Sequence, residues 1–231
     1  MKIKILELIE GAKAARGLTV IIDVFRAFSL ECLLTAKGAA AIHPVGKLEE
    51  AFALKEQHPD WILFGERHGA RVEGFAYGNS PTQCMDADIV GRTIVHTTGA
   101  GTQGIVNASG ADEIITGSLV NAAAIVEYIR RQDPEMVSLV CMGRAGKAPS
   151  LEDTVCAEYL RALLEGGEYP IAEKIPLLRE DGGKHFFDPD RQHIYPQADF
   201  DFCTQLSIYP FVLKAEKQDG LYTSRKINIL S

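Results

Sequence analysis

Short apolar runs recur along the chain, and each is followed by a polar or glycine-rich break and then by a segment with helical periodicity. This alternation is typical of repeated βα units. Some runs, such as residues 20–22 and 137–141, are mostly apolar at consecutive positions, as expected for strands covered by helices on both faces. The pattern therefore predicts an α/β protein, a three-layer α/β/α sandwich with a mainly parallel central sheet.

The same pattern predicts the individual elements. Strands are expected at 2–6, 19–25, 40–45, 61–65, 92–97, 113–117 and 136–142. Helices are expected at 29–37, 48–57, 102–108, 119–131 and 151–164. After Gly167 prolines and glycines interrupt the pattern, and a hairpin is expected around Asp219-Gly220. With no recognisable linker, residues 1–231 are expected to form a single domain.

Composition and charge narrow the class of partner. Hydrophobic residues make up 46% of the chain and charged residues 24%, as in ordinary globular proteins. The formal net charge of −7 argues against nucleic acid, which requires clustered lysine and arginine. An acidic protein that binds a small anion must instead concentrate positive groups, or a metal ion, in one pocket.

The five cysteines include no CxxC pair, and Cys141 and Cys156 lie in apolar runs typical of a core. The N-terminal residues do not resemble a signal peptide, and no run of about 18 apolar residues predicts a membrane span. These features favour a reducing, cytoplasmic location without a membrane partner. Self-association as a homodimer is also expected, although the sequence identifies no surface for it.

Polar residues follow three of the predicted strands, at the edge where ligands bind in open α/β sheets. Asp23 and Arg26 follow the second strand, and Glu66-Arg67 follow the fourth. A carboxylate beside a buried strand must be paired or metal-bound, so Asp23 is either a magnesium ligand or the partner of Arg26. Glu66 is the natural second ligand, and its alternative is a surface charge in a turn.

The loop at 97–104 ends a strand and opens a predicted helix, which makes it a candidate phosphate-binding loop. It also matches G-x-G-x-x-G, so a dinucleotide site is a rival interpretation. A tight turn that merely needs small residues is a third. His96, in the preceding strand, is more typical of a hydrogen-bonded core histidine than of a catalyst.

Three other polar segments have structural explanations of their own. Asn79 or Ser80 could cap a helix that begins at Pro81. Ser150-x-x-Asp153 is a plausible capping box, which would account for Asp153 without catalysis. Asn121 could cap a helix or face solvent.

Taken together, several segments resemble the 2-phosphosulfolactate phosphatase family, whose enzymes release phosphate from 2-phospho-3-sulfolactate on the route to coenzyme M. The matching segments, in register over most of 19–160, are 22–27, 65–67, 73–75, 78–81, 97–98, 101–102, 117–122 and 150–153. The resemblance implies a hydrolase that acts on a small anionic phosphoester.

The hypothesis that follows gives each candidate residue a role. The catalytic group is Asp23, Arg26, Glu66 and Arg67. The substrate- or phosphate-binding group is Asn79, Ser80, Thr97, Thr98, Gly101, Thr102 and Asn121. The Mg²⁺ ligands are expected among Asp23, Glu66, Glu152 and Asp153. Phosphoryl transfer mainly requires positioning and electrostatic stabilisation, which these residue types can supply.

The chain departs from the usual family pattern at four positions. Ala76 stands where an acid is usual, Ala100 where an asparagine is common, and Phe25 and Phe28 replace a leucine and a threonine. These changes leave open a non-catalytic family member that only binds a small anion. The attacking group is also open, since either water or Asp23 could attack phosphorus.

Overall fold

The structure is a computed structural model and describes residues 1–230. Its strands are β1 (Lys2–Glu7), β2 (Leu18–Ile22), β3 (Ala41–Pro44), β4 (Ile62–Arg67), β5 (Ala70–Arg71), β6 (Thr93–Thr97), β7 (Glu113–Gly117), β8 (Met136–Cys141), β9 (Phe211–Gln218) and β10 (Leu221–Asn228). Its helices are α1 (Leu8–Ala14), α2 (Ala27–Ala36), α3 (Leu48–Gln57), α4 (Gly101–Asn107), α5 (Ala122–Gln132), α6 (Leu151–Leu164), α7 (Ile171–Leu178) and α8 (Gln197–Cys203).

All ten strands belong to one sheet, in the order β1-β8-β2-β7-β9-β10-β3-β6-β4-β5. Two parallel blocks, β1-β8-β2-β7 and β3-β6-β4, lie on either side of the antiparallel hairpin β9–β10. The predicted mainly parallel α/β sheet is therefore confirmed, as is the hairpin around Asp219-Gly220. What the sequence did not indicate is that this C-terminal hairpin completes the middle of the sheet.

Helices cover the sheet on both faces, in agreement with the predicted layers. Strand β2 is buried at every position, which explains its consecutive apolar residues. Ile21 packs in a cluster with residues of α1 and α4, whereas Val20 and Ile22 pack with residues of α5 and α6. All five cysteines are free and buried, so the core placement of Cys141 and Cys156 is confirmed.

The predicted boundaries need modest correction. Strand β2 ends at Ile22, so Asp23 lies just beyond the strand, in the loop before α2. The predicted helix at 119–131 begins with a 3₁₀ turn, Leu119–Asn121, before α5. Helices α1, α7 and α8, of seven or eight residues each, were not predicted. No helix within residues 1–230 is long and apolar enough to cross a membrane.

Candidate active site

A cleft of about 350 Å³ lies at the carboxyl ends of the parallel strands. Its floor is formed by residues that follow β2, β4, β6 and β8, as expected for an open α/β sheet. The lining residues are Asp23, Phe25, Arg26, Glu66, His68, Gly69, Asn79, Gly99, Ala100, Gly143, Arg144, Ala145, Glu152, His185, Arg191 and Tyr195. The cleft thus joins the predicted acidic and glycine-rich segments with further residues that were not predicted: Gly143, Arg144, Ala145, His185, Arg191 and Tyr195.

Three carboxylates form one side of the site, here called the acidic wall: Asp23, Glu152 and Asp153. They are 6%, 5% and 2% exposed, respectively. Asp23 accepts a hydrogen bond from the backbone N–H of Ala27 at 3.2 Å, which fixes it at the start of α2. Asp153 accepts from the N–H of Val24 at 2.9 Å and of Gly143 at 2.8 Å, so α6 is tied to the ends of β2 and β8.

Burial, reinforced by repulsion between these neighbours, raises the pKa of each acidic-wall carboxyl to about 7. The charge of Asp153 acts on Asp23, that of Asp23 on Glu152, and that of Glu152 on Asp153. Atom Oε2 of Glu152 is buried and has no hydrogen-bond partner in residues 1–230. The wall is therefore a concentration of negative charge, and the only positive group that acts on these pKa values is Arg144, which partly offsets the rise at Glu152.

The donor set of the acidic wall fits a hard divalent cation. Carboxylate oxygens are the ligands that Mg²⁺ prefers, and Mg²⁺ usually takes only one or two of them, together with water and substrate oxygens. Across the described chain, no three His, Cys, Asp or Glu side chains are grouped so as to hold a metal by themselves. The arrangement is compatible with a shared site that substrate completes, but not with a protein cage.

Glu66 lies at the end of β4, and both of its carboxylate oxygens accept backbone N–H groups. Oε2 accepts from Gly69 at 2.6 Å, and Oε1 accepts from Gly99 at 2.7 Å. The side chain thereby connects the loop after β4 to the loop after β6. Glu66 lines the cleft as predicted. Its hydrogen bonds connect these two loops, and its role as a metal ligand stays a prediction.

Arg26 does not pair with Asp23, which removes the simplest structural explanation for that carboxylate. Its guanidinium forms a buried ion pair with Asp199 at 2.8 Å and also donates to the carbonyls of Ile194 and Gly69. Asp199 lies 173 residues later in the chain, in α8. Arg26 lines the cleft, but its charge is largely balanced by this partner.

Asp199 also organises the segment that contains Ser80. One of its oxygens, Oδ1, accepts from the hydroxyl of Ser80 at 2.8 Å and from the hydroxyl and backbone N–H of Thr82. Ser80 in turn accepts the N–H of Gln83, which is a capping contact, but the 3₁₀ turn begins at Thr82 with Pro81 as its N-cap residue and not at Pro81 as predicted. The structure does not bring Ser80 to the surface of the cleft.

Arg67 points away from the cleft. It donates to the carbonyls of Glu66 and Gly46 and, at 2.9 Å, to the hydroxyl of Thr97. Arg67 and Thr97 were predicted to contact the substrate, but the hydrogen bonds of Arg67 are to other groups of the protein, including Thr97 itself. Both side chains instead join β4, β6 and the loop that precedes α3.

The remaining residues of the predicted phosphate loop bond mainly to one another. Thr102 donates from its hydroxyl to the carbonyl of Thr98 and accepts the N–H of the same residue at 2.9 Å. A Cβ atom at Gly101 would lie 2.8 Å from Oδ2 of Asp23, so glycine is needed for this close approach. Packing thus accounts for these residues, and it is Gly99 and Ala100 that face the cleft.

Asn121 takes part in a capping box, whereas Ser150 does not. Asn121 is fully buried and completes a capping box with Ser118, so it lies outside the cleft. The predicted capping box at Ser150 is wrong, because the hydroxyl of Ser150 forms no cap and Asp153 turns towards Val24 and Gly143 instead. The carboxylate that helix capping would have explained is therefore part of the acidic wall.

Asn79 lines the cleft as predicted, and its Oδ1 atom lies 3.0 Å from Nε2 of His96. His96 is fully buried and also contacts Glu31 at 2.8 Å, so the expected core histidine is confirmed.

Sequence reasoning missed the positive side of the cleft, here called the basic wall, which consists of Arg144 and Arg191. Neither side chain forms an ion pair with any residue in 1–230. His185 also lines the cleft, and its pKa is lowered to about 4 by burial and by the charges of Arg26, Arg191 and Arg144. Arg144 lies in the loop after β8, and His185 and Arg191 lie in short 3₁₀ turns after α7, where no periodic signal marks them.

Comparisons of the sequence with known proteins agree with the geometry of this site. A family model described as 2-phosphosulpholactate phosphatase matches residues 3–218. A protein of Bacillus subtilis (strain 168), named probable 2-phosphosulfolactate phosphatase, is 28% identical over 90% of both chains. Proteins with the same name from Symbiobacterium thermophilum and Thermotoga petrophila are 37% and 33% identical, over 68% and 84% of this chain and 67% and 86% of theirs. The chain therefore belongs to the 2-phosphosulpholactate phosphatase family, a family of phosphoric monoester hydrolases.

Proposed function

We propose that the protein hydrolyses a small, strongly acidic phosphoester in a magnesium-dependent reaction, with 2-phospho-3-sulfolactate as its preferred substrate. The observation that carries the proposal is that one site combines three buried carboxylates and two arginines, none of which forms an ion pair within residues 1–230. A metal ion on one wall and a multiply charged anion on the other would satisfy both sides. The names of the relatives support the choice of substrate.

Asp23 and Glu152 are the residues that would hold Mg²⁺, because both line the cleft and Oε2 of Glu152 has no other partner. Bound there, the ion would supply Lewis-acid stabilisation to an oxygen of the phosphate. Asp153 adds negative charge next to these ligands, while its carboxylate oxygens accept hydrogen bonds from the N–H groups of Val24 and Gly143. Glu66 keeps the two neighbouring loops in place and remains a candidate ligand.

The basic wall suits the other charges of the substrate. A 2-phospho-3-sulfolactate molecule carries a phosphate, a carboxylate and a sulfonate, which are planar or tetrahedral anions that arginine binds well. Arg144 and Arg191 have unpaired guanidinium groups for this purpose, whereas Arg26 is balanced by Asp199. Selectivity for acidic phosphoesters would therefore come from these two arginines.

Water is the proposed nucleophile. Asp23 is held by its contact with the N–H of Ala27 and by the close approach of Gly101, which fixes its carboxylate as a ligand. Attack by Asp23 would instead produce an aspartyl phosphate. Mass spectrometry after rapid acid quench distinguishes the two, and a phosphorylated Asp23 would contradict the role of water.

The proposal is tested by phosphate release from 2-phosphosulfolactate, phospholactate and phosphoglycolate, each with Mg²⁺ and with EDTA. We expect metal-dependent release, fastest with the sulfonated substrate. Of the four departures from the family pattern, Ala76 and Phe28 lie outside the cleft, whereas Phe25 and Ala100 line it. Ligand binding without phosphate release would favour a non-catalytic family member.

A further inference from the structure

A chain of buried polar residues runs from the central hairpin to the cleft. Ser224 of β10 donates to Oε2 of Glu31 in α2 at 2.9 Å. Oε1 of Glu31 lies 2.8 Å from Nδ1 of His96 in β6, and Nε2 of His96 lies 3.0 Å from Oδ1 of Asn79. Glu31 and His96 are fully buried, and Asn79 is 5% exposed and lines the cleft.

The hydrogen-bond chemistry of this chain fixes where the protons lie. A carboxylate accepts hydrogen bonds and does not donate them, so Nδ1 of His96 carries a proton that it donates to Glu31. On the other side of the ring, Nε2 faces the amide oxygen of Asn79, which is also an acceptor. In this geometry both ring nitrogens of His96 face acceptor oxygens, so the arrangement requires a donor N–H on each.

The same arrangement includes a definite orientation of the Asn79 amide. Its oxygen is directed at His96, so its NH₂ group is on the opposite side, and Nδ2 has no hydrogen-bond partner in residues 1–230. A neutral His96 would accept a hydrogen bond through Nε2, and the amide would then turn over to present its oxygen to the cleft. An oxygen there would repel an anion, whereas an NH₂ group would bind it.

We propose that Glu31 and His96 are positioning residues that hold the Asn79 amide with its NH₂ group directed into the cleft, where it binds an anionic oxygen of the substrate. The role deepens the proposed phosphatase function and rests on it. Glu31 and His96 do not touch the cleft themselves. Their buried hydrogen-bonded pair acts only through Asn79.

A double-mutant cycle tests this coupling. Glu31→Gln removes the carboxylate that faces Nδ1 of His96, and we expect kcat/KM to fall about tenfold, the effect of one hydrogen bond to a charged group. In an Asn79→Ala background the same change should cost less than about twofold, since the residue through which it acts is gone. Equal losses in both backgrounds would overturn the proposal.

Ser224→Ala is the matched control, because it removes the other hydrogen bond of Glu31 but leaves His96 and Asn79 in contact. Its kcat/KM should stay within about twofold of the native value, although urea unfolding should show a loss of stability. A loss of kcat/KM in Ser224→Ala as large as in Glu31→Gln would show a structural effect and contradict a specific role for Asn79.

Nitrogen-15 NMR of the histidine-labelled native protein gives a second test that needs neither a mutation nor turnover. One fully buried ring should show two slowly exchanging N–H signals, one on each nitrogen. A His96 ring with a single protonated nitrogen would overturn the proposal. Two N–H signals in a protein without phosphatase activity would support the positioning of Asn79 and count against the phosphatase proposal alone.

Discussion

The acidic and basic walls belong to the same site but are built in different ways. Asp23 follows β2, Glu152 and Asp153 lie in the first turn of α6, all three are buried, and backbone N–H groups hold two of them. Arg144 and Arg191 are exposed, lie in a loop and in a short 3₁₀ turn, and have no ion-pair partner in the described chain. One wall is fixed and electrostatically strained, and the other is accessible and adaptable.

This difference between the two walls indicates that each has its own task. Fixed carboxylates at strand ends suit a metal ion, whose ligands must be placed before the substrate arrives. Accessible arginines suit the recognition of an anion that must enter and leave. Damage to the acidic wall should therefore reduce turnover, whereas damage to the basic wall should weaken substrate binding.

The largest effect is expected for Asp23→Asn. Loss of this charge should lower kcat/KM by about a thousandfold, the usual scale for a group that stabilises charge in the transition state. The metal-free variant should also gain about 1–2 kcal/mol in its free energy of unfolding, because a repelled buried charge has been removed. Assays of phosphate release and urea unfolding measure the two effects.

Asp86→Asn is the matched control for that variant, since it makes the same chemical change at an exposed residue outside the cleft. It should change neither activity nor stability. Full activity in Asp23→Asn would show that the acidic wall takes no part in the reaction.

Arg26 belongs to neither wall, and Asp199→Asn tests that distinction. The change leaves the buried Arg26 guanidinium without its counter-charge and should destabilise the protein by about 3 kcal/mol. Urea unfolding would show this loss, while the KM of the folded fraction should change less than in the arginine variants described below. Unchanged stability would show that Asp199 does not balance Arg26.

Stability should depend on pH through the acidic wall. The pKa of each of its carboxyls is raised to about 7, so the folded state binds more protons than the unfolded state between about pH 4 and pH 7. The contribution is therefore fully favourable at low pH and is lost as the pH rises through about 7. Without metal, the free energy of unfolding should fall between about pH 5 and pH 8 by at least about 2 kcal/mol, the amount expected for one such carboxyl alone.

Two comparisons isolate this effect. His185, with its lowered pKa, changes stability in the opposite sense at acidic pH, but it does so equally in the native protein and in Asp23→Asn. The fall should therefore be smaller in Asp23→Asn, and Mg²⁺ should reverse it in the native protein at about pH 8. The same pH profile in both proteins would contradict the mutual repulsion.

The smallest effect is expected on the basic wall. Arg144→Met and Arg191→Met should each raise KM about tenfold, with kcat changed much less, because each removes one charge-assisted contact with the substrate. Arg131→Met, at an exposed arginine of α5, is the control and should leave both constants unchanged. A large loss of kcat with an unchanged KM would show that the two walls do not divide the tasks in this way.

Much of the fold was readable from the sequence because it depends on local periodicity. The strands β1 to β4 and β6 to β8 were predicted within a few residues, since their apolar runs are continuous and flanked by breakers. The central position of β9–β10 was not, because strand order depends on contacts between distant segments. Ser224, for example, pairs with Ile42 across 182 residues of chain.

Residues of the site could likewise be predicted where they follow local sequence patterns, but not where only the folded chain brings them together. Asp23, Glu66 and Asn79 directly follow recognisable elements or motifs and do line the cleft. Asp199, Arg144 and Arg191 lie where the periodic signal is absent, and only the folded chain brings them to Arg26 and the acidic wall. Arg67, Ser80 and Asn121 had the right residue types, but nearby backbone and side-chain groups use their hydrogen-bonding capacity.

Calorimetric titration of Mg²⁺ into the native protein, at about pH 6 and about pH 8, tests the central claim most directly. A buried carboxylate cluster with pKa values raised to about 7 should bind one ion, more tightly at the higher pH, and release protons at the lower. Asp23→Asn should abolish the binding. Absence of binding to the native protein, or an affinity that is independent of both pH and Asp23, would contradict the proposed magnesium site.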